Sequence, residues 1–402
     1  MISPTRVTSL AGRVERASAA FDPRTSPADG SGYFLYHSIG MFPGKEALIA
    51  EGLRNYARLW STPDDSQWPQ ALALRQQFIE RWRKLINAQP ATLTTADNVT
   101  TALYSLIGSL PARYLEGRRV LIAADCFPSL HFLLAGLAER HGFTLDTVPL
   151  RAGESWVRDE DFVARWTADV SVALITQVTS TASYRCDLPM LVAHGRRIGS
   201  LIGVDVTQGI GLLPYDAQAP EVDFTVSTSL KWLSGTAGAG ILHVRAPLLS
   251  ECRPQLRGWF SQENPFSWDL SAFSYAPDAR RFDHGTPSIV ACAGTLPALE
   301  WHAKQDARAL LAHNRALTDA IIAGADELRL DLVSPRDEAR RGGSLMINVP
   351  TTADPTALVD NLRAAGVYAD CRGATLRLSP GVVTTHAGVE RLLRELRRLL
   401  RA

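Results

Sequence analysis

Apolar residues follow two different repeats along this chain of 402 residues. From about residue 45, long stretches rich in Ala, Leu and Arg carry apolar residues at three- and four-residue spacing, which predicts helices over 46–60 and 71–86. Short β-branched runs follow and predict strands at 118–125, 143–150, 170–178, 201–206, 223–228 and 238–245, with helical stretches at 129–141 and 189–199 between them. Because strands and helices alternate, we expect an α/β fold with a mainly parallel sheet and helices on both faces.

The last third of the chain predicts a smaller α+β domain. One long helical pattern covers 286–328, strand-like pieces lie at 342–350 and 374–380, and a closing helix covers 386–400. The first 30 residues are rich in Ser, Thr, Ala, Pro and Arg without a sustained apolar repeat, so we expect them to order only by docking. We therefore divide the chain into an N-terminal arm that packs on the small domain (1–43), a large domain (44–285) and a small C-terminal domain (286–402).

Composition and charge exclude several classes of protein. Hydrophobic residues make up 46% of the chain and charged residues 21%, and no apolar run reaches about 18 residues, which is typical of a folded protein without a membrane span. The 42 basic and 41 acidic residues nearly cancel, so nothing favours binding to nucleic acid or to an anionic membrane. Five scattered cysteines predict neither a disulfide scaffold nor a metal site, and the first residues lack the apolar core of a secretory signal, so we expect a cytoplasmic protein.

Lysine is rare, and one lysine stands where an α/β protein places its ligands. The four lysines are Lys45, Lys84, Lys231 and Lys304, and all but Lys231 lie in helical patterns. Asp205 closes one apolar run, and Lys231 follows the next run and precedes a glycine-rich stretch, so both are expected beyond the carboxyl ends of strands. A buried lysine there would have a lowered pKa and could attack a carbonyl. Taken singly, each residue is better explained without a function, Asp205 as a helix cap and Lys231 as a solvated loop residue.

Together, the two residues resemble the Asp and Lys of pyridoxal 5'-phosphate enzymes with the aspartate-aminotransferase fold, known as fold type I. Across residues 31 to 395 the chain is similar to the kynureninases, within the class V group. The segments that carry this resemblance are FLYHSIG (34–40), DCFPSLHF (125–132), GWF (258–260), PFSWDLSAFSYAPDARRFDHGTPSI (265–289) and GVYADCRGATLRLSPGVVTT (366–385). The resemblance implies a sheet of the seven-stranded type in the large domain and pyridoxal phosphate as cofactor.

The resemblance also assigns site residues. It makes Lys231 the lysine that holds the cofactor as a Schiff base, Asp205 the partner of the pyridine nitrogen, and Phe127 the residue that stacks on the ring. Further contacts to the cofactor are implied for Val99, Thr100, Gln208, Ser229, Trp259 and Thr286. Trp259 and Thr286 match positions that reach the phosphate in part from a neighbouring subunit, which implies a homodimer with shared active sites.

On the substrate side, Arg377 matches the arginine that grips the α-carboxylate of an amino acid, a task that suits the guanidinium fork. Side-chain specificity is expected to involve His37 and Ser38 in the N-terminal segment.

Three residues depart from the kynureninase pattern. Leu230 stands where that family has a tyrosine, Gln208 where it has a histidine, and Leu130 where it has an aspartate. Leucine can neither hydrogen-bond a phosphate nor donate a proton, so the mechanism of kynurenine hydrolysis loses a central group. These changes favour a scaffold that binds the cofactor and an α-amino acid but catalyses another reaction.

The leading hypothesis is a lyase that acts on a β-substituted amino acid by β-elimination, with C–S cleavage of an S-conjugated cysteine in specialised metabolism. An alternative is decarboxylation-linked oxidative deamination, or transamination, of a similar amino acid. Less favoured are a kynureninase, a cysteine desulfurase in which Cys371 would be the nucleophile, and a non-catalytic binding protein that keeps the fold.

Overall fold

A computed structural model of the protein describes residues 30–400 and contains a seven-stranded sheet and a three-stranded sheet. The strands of the large sheet are β1 (Leu93–Ala96), β2 (Arg119–Ala123), β3 (Thr144–Val148), β4 (Val170–Thr176), β5 (Leu201–Asp205), β6 (Phe224–Thr228) and β7 (Gly240–Val244). Their order is β1-β7-β6-β5-β4-β2-β3, and only β7 runs antiparallel to its neighbours. The predicted α/β class and the mainly parallel sheet are therefore confirmed.

Helices cover both faces of the large sheet. They are α1 (Lys45–Trp60), α2 (Gln67–Leu85), α3 (Val99–Ile107), α4 (Pro128–His141), α5 (Asp159–Arg165), α6 (Leu188–Ile198), α7 (Ala246–Glu251) and α8 (Ile289–Ala303). Every residue of β5, β6 and β7 is buried, as expected for strands that are covered on two sides. Two hydrophobic clusters, one on each face, hold these helices against the sheet.

The long helix predicted over 286–328 is wrong, because the structure breaks it into α8 and α9 (Ala307–Glu327). The side chain of Asp306 accepts a hydrogen bond from the backbone N–H of Arg308 and caps the second helix. Cys292, Leu296 and Leu299 of α8 belong to a core cluster of the large domain. This helix therefore packs with the large sheet, although the predicted division assigns it to the small domain.

The small domain pairs a three-stranded antiparallel sheet with helices. Its strands are β8 (Leu345–Asn348), β9 (Asp370–Arg372) and β10 (Thr375–Leu378), in the order β8-β10-β9, and its remaining helices are α10 (Pro355–Ala364) and α11 (His386–Leu400). The described part of the N-terminal segment docks there. Phe34 lies in the core of the small domain, its N–H donates to the carbonyl of Tyr368, and its own carbonyl accepts from Ser379 N. Most of the predicted arm, residues 1–29, lies outside the described residues.

No helix between residues 30 and 400 is both long enough and apolar enough to cross a membrane.

Candidate active site at the carboxyl ends of β5 and β6

The fold brings Asp205 and Lys231 to one edge of the large sheet. Asp205 is the last residue of β5, and Lys231 follows the end of β6, the parallel neighbour of β5. Asp205 is buried, and its Oδ1 accepts a hydrogen bond of 2.9 Å from Thr207 N. The two side chains are close enough for their charges to interact. The sheet thus places an amine and a carboxylate together where α/β proteins bind their ligands.

Burial acts on both groups, in opposite senses. It lowers the pKa of Lys231 to about 8, with Arg377 and Arg372 lowering it further and Asp205 opposing them. Burial also raises the pKa of Asp205, against the hydrogen bonds from Thr207 and the positive charge of Lys231. Lys231 is therefore a nucleophile near neutral pH, and Asp205 is a buried carboxylate that gains from a cationic partner.

Three further predicted residues lie at the starts of helices. Phe127 immediately precedes α4, is 37% exposed, and its ring centroid lies 5.4 Å from Lys231 Nζ. Val99 and Thr100 are the first two residues of α3, which follows β1 and is capped by Asn98 accepting from Thr101 N at 3.0 Å. The N–H groups of a first helical turn have no partner within the helix and favour an anion such as a phosphate.

Gln208 connects the loop after Asp205 to the N-terminal segment. Its Nε2 donates to the carbonyl of His37 at 3.1 Å and lies 3.3 Å from Ser180 Oγ. The N-terminal segment then approaches the lysine so closely that a Cβ on Gly40 would lie 1.9 Å from the carbonyl oxygen of Lys231. This approach requires glycine at position 40.

Arg377, in β10, reaches the same region from the small domain. Its charge acts on Lys231, and it donates to both carboxylate oxygens of Asp370, from Nε to Oδ1 at 2.8 Å and from Nη2 to Oδ2. His37 was expected to contact the substrate, but its ring is only 3% exposed and points at Asp370 and Ser379. Ser38 is exposed at the surface of the protein.

The expectation for Ser229 is not met by its side chain. The Ser229 hydroxyl is fully buried, donates to the carbonyl of Ala239 at 2.6 Å and accepts from Trp82 Nε1 at 3.1 Å. The Ser229 hydroxyl therefore links buried segments of the large domain and does not face a ligand. Thr228, the last residue of β6, is the better candidate, because its buried Oγ1 has no hydrogen-bond partner among the described residues. The sequence carries a signal for it, since Thr228 also closes an apolar run.

Unpartnered polar atoms gather at this edge of the sheet, which fits a polar ligand there. Buried side-chain atoms without a hydrogen-bond partner in the described chain include Thr176 Oγ1, Gln177 Oε1, Gln208 Oε1 and Thr228 Oγ1, at or just beyond the ends of β4, β5 and β6. Buried polar groups are nearly always paired, so such a cluster marks a place where a ligand supplies the partners. Together with Asp205 and Lys231, these atoms fit a cofactor that carries an aldehyde, a ring nitrogen and a phosphate.

Trp259 and Thr286 lie apart from this group. Trp259 is 37% exposed and stacks edge-on against Trp68, with ring centroids 5.8 Å apart. Thr286 is exposed and lines a cavity of about 450 Å³ that the first turns of α3 also line. No hydrogen bond or ring contact within residues 30–400 joins either residue to Lys231.

Most of the cysteines are buried and inert. Burial raises the pKa of the Cys126 and Cys292 thiols to about 12 and that of Cys252 to about 11. It also raises the pKa of Cys186 far above its usual range. Cys371, on β9, packs against the core of the small domain. Leu130, one of the departures from the kynureninase pattern, is buried in the core as well.

This fold and this site define a class, the pyridoxal-phosphate-dependent enzymes of fold type I. Within that class the chain belongs to the class-V aminotransferase family, whose model matches residues 67–392. Its relatives include a kynureninase of Deinococcus radiodurans, 28% identical over 307 residues that cover 75% of this chain and 72% of that protein. A kynureninase of Monosiga brevicollis is 25% identical, with 92% of this chain and 87% of that protein covered. The predicted family and cofactor are confirmed.

Solved structures share the fold. The apo cysteine desulfurase of Thermococcus onnurineus NA1 superposes with a TM-score of 0.82 at 17% identity, over 92% of this chain and 94% of that chain. The cystine C–S lyase C-DES, in complex with its reaction product cysteine persulfide, gives 0.80 at 21% identity, over 91% and 97%. At these identities the likeness concerns the fold.

The lowered pKa of Lys231 leads to a pH prediction. Only the neutral amine attacks an aldehyde, so covalent uptake of pyridoxal phosphate by the cofactor-free protein should speed up as the pH rises and level off above about pH 8. The rate is read from the growth of the yellow absorbance, with Nα-acetyl-lysine as the unperturbed reference amine. If the rate of uptake by the protein kept rising in parallel with the reference up to the ordinary lysine pKa of 10.5, the lowered pKa of Lys231 would be contradicted.

Proposed function

We propose that this enzyme is a lyase that releases a thiol from an S-substituted cysteine by β-elimination. The observation that carries the proposal is Lys231, a half-buried residue whose amine has a lowered pKa, whose charged neighbours are Asp205, Arg377 and Arg372, and whose adjacent residue is the aliphatic Leu230. The bound cofactor supplies an electron-withdrawing ring that stabilises negative charge at the α carbon of the amino acid. Elimination then needs one base and a good leaving group, and this site offers one base.

Three residues have distinct roles in the proposed elimination. Arg377 binds the α-carboxylate, and Asp205 keeps the ring nitrogen of the cofactor protonated by its negative charge. Lys231 Nζ accepts the proton when the α C–H bond breaks, the C–S bond breaks with its electron pair leaving on sulfur, and the thiolate takes up a proton. Hydrolysis of the remaining carbon skeleton by one water gives pyruvate and ammonia.

Two competing activities need groups that this site does not offer. A desulfurase needs a mobile thiolate, whereas burial keeps the thiols of Cys126, Cys252 and Cys292 protonated at neutral pH and Cys371 packs against the core of the small domain. Kynurenine hydrolysis calls for a proton donor beside the lysine, and Leu230 has none. These features support elimination over desulfuration or hydrolysis.

The proposal predicts three products in equal amounts. Purified holoenzyme incubated with S-methyl-, S-benzyl- and other S-substituted cysteines is expected to release thiol, pyruvate and ammonia together, and the Lys231→Ala variant is expected to release none of them. Free cysteine and kynurenine belong in the same panel as competing substrates.

Other product patterns would replace the proposal. A keto acid or an aldehyde without thiol would support transamination or decarboxylation-linked oxidative deamination. Alanine with sulfide from cysteine would make the protein a desulfurase, and alanine with anthranilate from kynurenine would make it a kynureninase. No turnover across the panel would overturn the lyase proposal altogether.

We further propose a homodimer with shared active sites, working in specialised metabolism in the cytoplasm. Support for the dimer comes from Trp259 and Thr286, which are partly or fully exposed and have no contact with Lys231 of their own chain within the described residues. Exposed side chains that the family directs at a phosphate are explained if they serve the site of a second subunit.

A further inference from the structure

The guanidinium of Arg377 is held from one side only. Asp370 accepts from Nε and Nη2, which are both on one edge of the fork. Nη1 forms no hydrogen bond with the residues that the structure describes, although Arg377 is buried. Asp370 therefore fixes the plane of the guanidinium and leaves its other edge, Nη1 with the second N–H of Nη2, for a second carboxylate.

Asp370 in turn is held by His37. His37 Nε2 lies 3.1 Å from Asp370 Oδ1, the oxygen that also accepts from Arg377 Nε. Burial alone would raise the pKa of Asp370, but the hydrogen bonds from His37 and Arg377 outweigh it and hold the pKa well below its usual range. Asp370 is thus a carboxylate throughout the working pH range, and it can only accept hydrogen bonds.

Both nitrogens of the His37 ring have a close partner. Nε2 faces Asp370, and Nδ1 lies 2.7 Å from Ser379 Oγ, which donates to Ser344 Oγ at 2.6 Å. Burial lowers the pKa of His37, whereas the contact with Asp370 and its negative charge raise it. The ring is therefore fixed at both ends.

His37 also belongs to the segment that touches the cofactor side of the site. Its carbonyl accepts from Gln208 Nε2, and three residues later Gly40 N donates to the carbonyl of Leu230 at 2.9 Å. The His37 ring therefore stands at a fixed place relative to Lys231, while its Nε2 reaches across to β9 of the small domain.

We propose that His37 is a positioning residue that holds Asp370, and through it the guanidinium of Arg377, in the orientation that receives the α-carboxylate of the amino acid. This inference rests on the proposed function only in placing an α-amino acid at Arg377. It differs from the sequence-based expectation, in which His37 would touch the substrate directly.

Two substitutions test the contacts of the two ring nitrogens of His37 one at a time. Glutamine places its Nε2 donor near the position of His37 Nε2, so His37→Gln keeps an N–H donor facing Asp370 and loses the contact to Ser379. Asparagine places its polar atoms near the position of Nδ1, so His37→Asn keeps the contact to Ser379 and loses the one to Asp370. The two variants are similar in polarity, and both are measured beside His37→Ala.

The readout compares two ligands that differ only in the carboxylate. S-methylcysteine and 2-(methylthio)ethylamine are titrated against each holoenzyme, and the dissociation constant is taken from the change in absorbance of the bound cofactor. We expect His37→Asn and His37→Ala to weaken S-methylcysteine about tenfold or more, as expected for a lost hydrogen bond to a charged group, while the amine changes less than about twofold. His37→Gln should stay near the wild type for both ligands. In turnover the effect should fall on KM rather than on kcat.

Equal weakening of both ligands would show a general structural role and overturn the proposal, as would a His37→Gln variant as impaired as His37→Asn. The titration needs binding and not C–S cleavage, so it remains decisive if the lyase assay fails. A wild type that takes up the cofactor but shows no preference for the amino acid over the amine would place the carboxylate elsewhere and would also overturn it.

Discussion

Lys231→Ala is expected to abolish turnover, with a loss of about 10³-fold or more, because one substitution removes both the covalent anchor of the cofactor and the base. Lys231 is half-buried, desolvation lowers the pKa of its amine to about 8, and the amine lies 5.4 Å from the centroid of the Phe127 ring. Of the other lysines, Lys84 and Lys304 are exposed, and the amine of Lys45 donates to the carbonyl of Gly40 at 2.6 Å. Activity is measured as thiol release, and anchoring as the covalent adduct left after borohydride reduction.

Lys84→Ala is the matched control for this experiment. It removes an exposed lysine of the same large domain and should leave both readouts unchanged. Added methylamine should restore part of the activity of Lys231→Ala if the missing group is a base. A Lys231→Ala variant that still forms the reduced adduct and releases thiol at the wild-type rate would move the site to another lysine.

Asp205→Asn is expected to lower kcat by about 10²-fold or more, while the protein keeps its fold. The reason is that a buried charge placed opposite the charge that develops during the reaction contributes strongly to stabilising the transition state. Asparagine has the size of aspartate, and its oxygen can still accept from Thr207 N. It lacks the negative charge that keeps a ring nitrogen protonated. Since burial already raises the pKa of Asp205, the carboxylate is most stable beside a cation, and both the rate and the affinity for the cofactor should fall in the variant.

Asp64→Asn, on an exposed loop, serves as the comparison and should match the wild type in rate and cofactor affinity. Circular dichroism and the urea midpoint show that the Asp205→Asn variant is folded. If folded Asp205→Asn retained full kcat, Asp205 would not face the ring nitrogen.

The large sheet shows how far local patterns reach. Six of its seven strands follow from short apolar runs in the sequence, and β4 to β7 are buried at all but one position, as such runs predict for strands covered on both faces. The strand β1, with the sequence LTTA, is missed because it is short and half polar, and it is stabilised by pairing with β7, far away in sequence. The prediction of one long helix fails because Asp306, at the end of the polar stretch KQD (304–306), caps a second helix there.

In the candidate site, too, some residues could be recognised from the sequence and others only from the structure. Asp205, Lys231, Phe127 and Arg377 are recognisable because each occupies a motif position with a chemical reason for its residue type. Ser229 and Thr228 are adjacent hydroxyl residues, and the sequence does not distinguish them. In the structure the Ser229 hydroxyl is hydrogen-bonded to Ala239 and Trp82, whereas Thr228 Oγ1 has no hydrogen-bond partner among the described residues. The role of His37 was equally hidden, because Asp370 and Ser379 are more than 300 positions away in the chain.

The sequence by itself therefore determined the α/β class, the cofactor and the family, and it proposed the anchoring lysine, since these depend on local periodicity and on short motifs whose chemistry needs particular side chains. Tertiary structure alone decided which core α8 joins, which hydroxyl is available, how Asp370 and His37 lie relative to Arg377, and how close Gly40 comes to Lys231. Those features are contacts between distant segments, and their energies come from burial and hydrogen-bond geometry that no local pattern records.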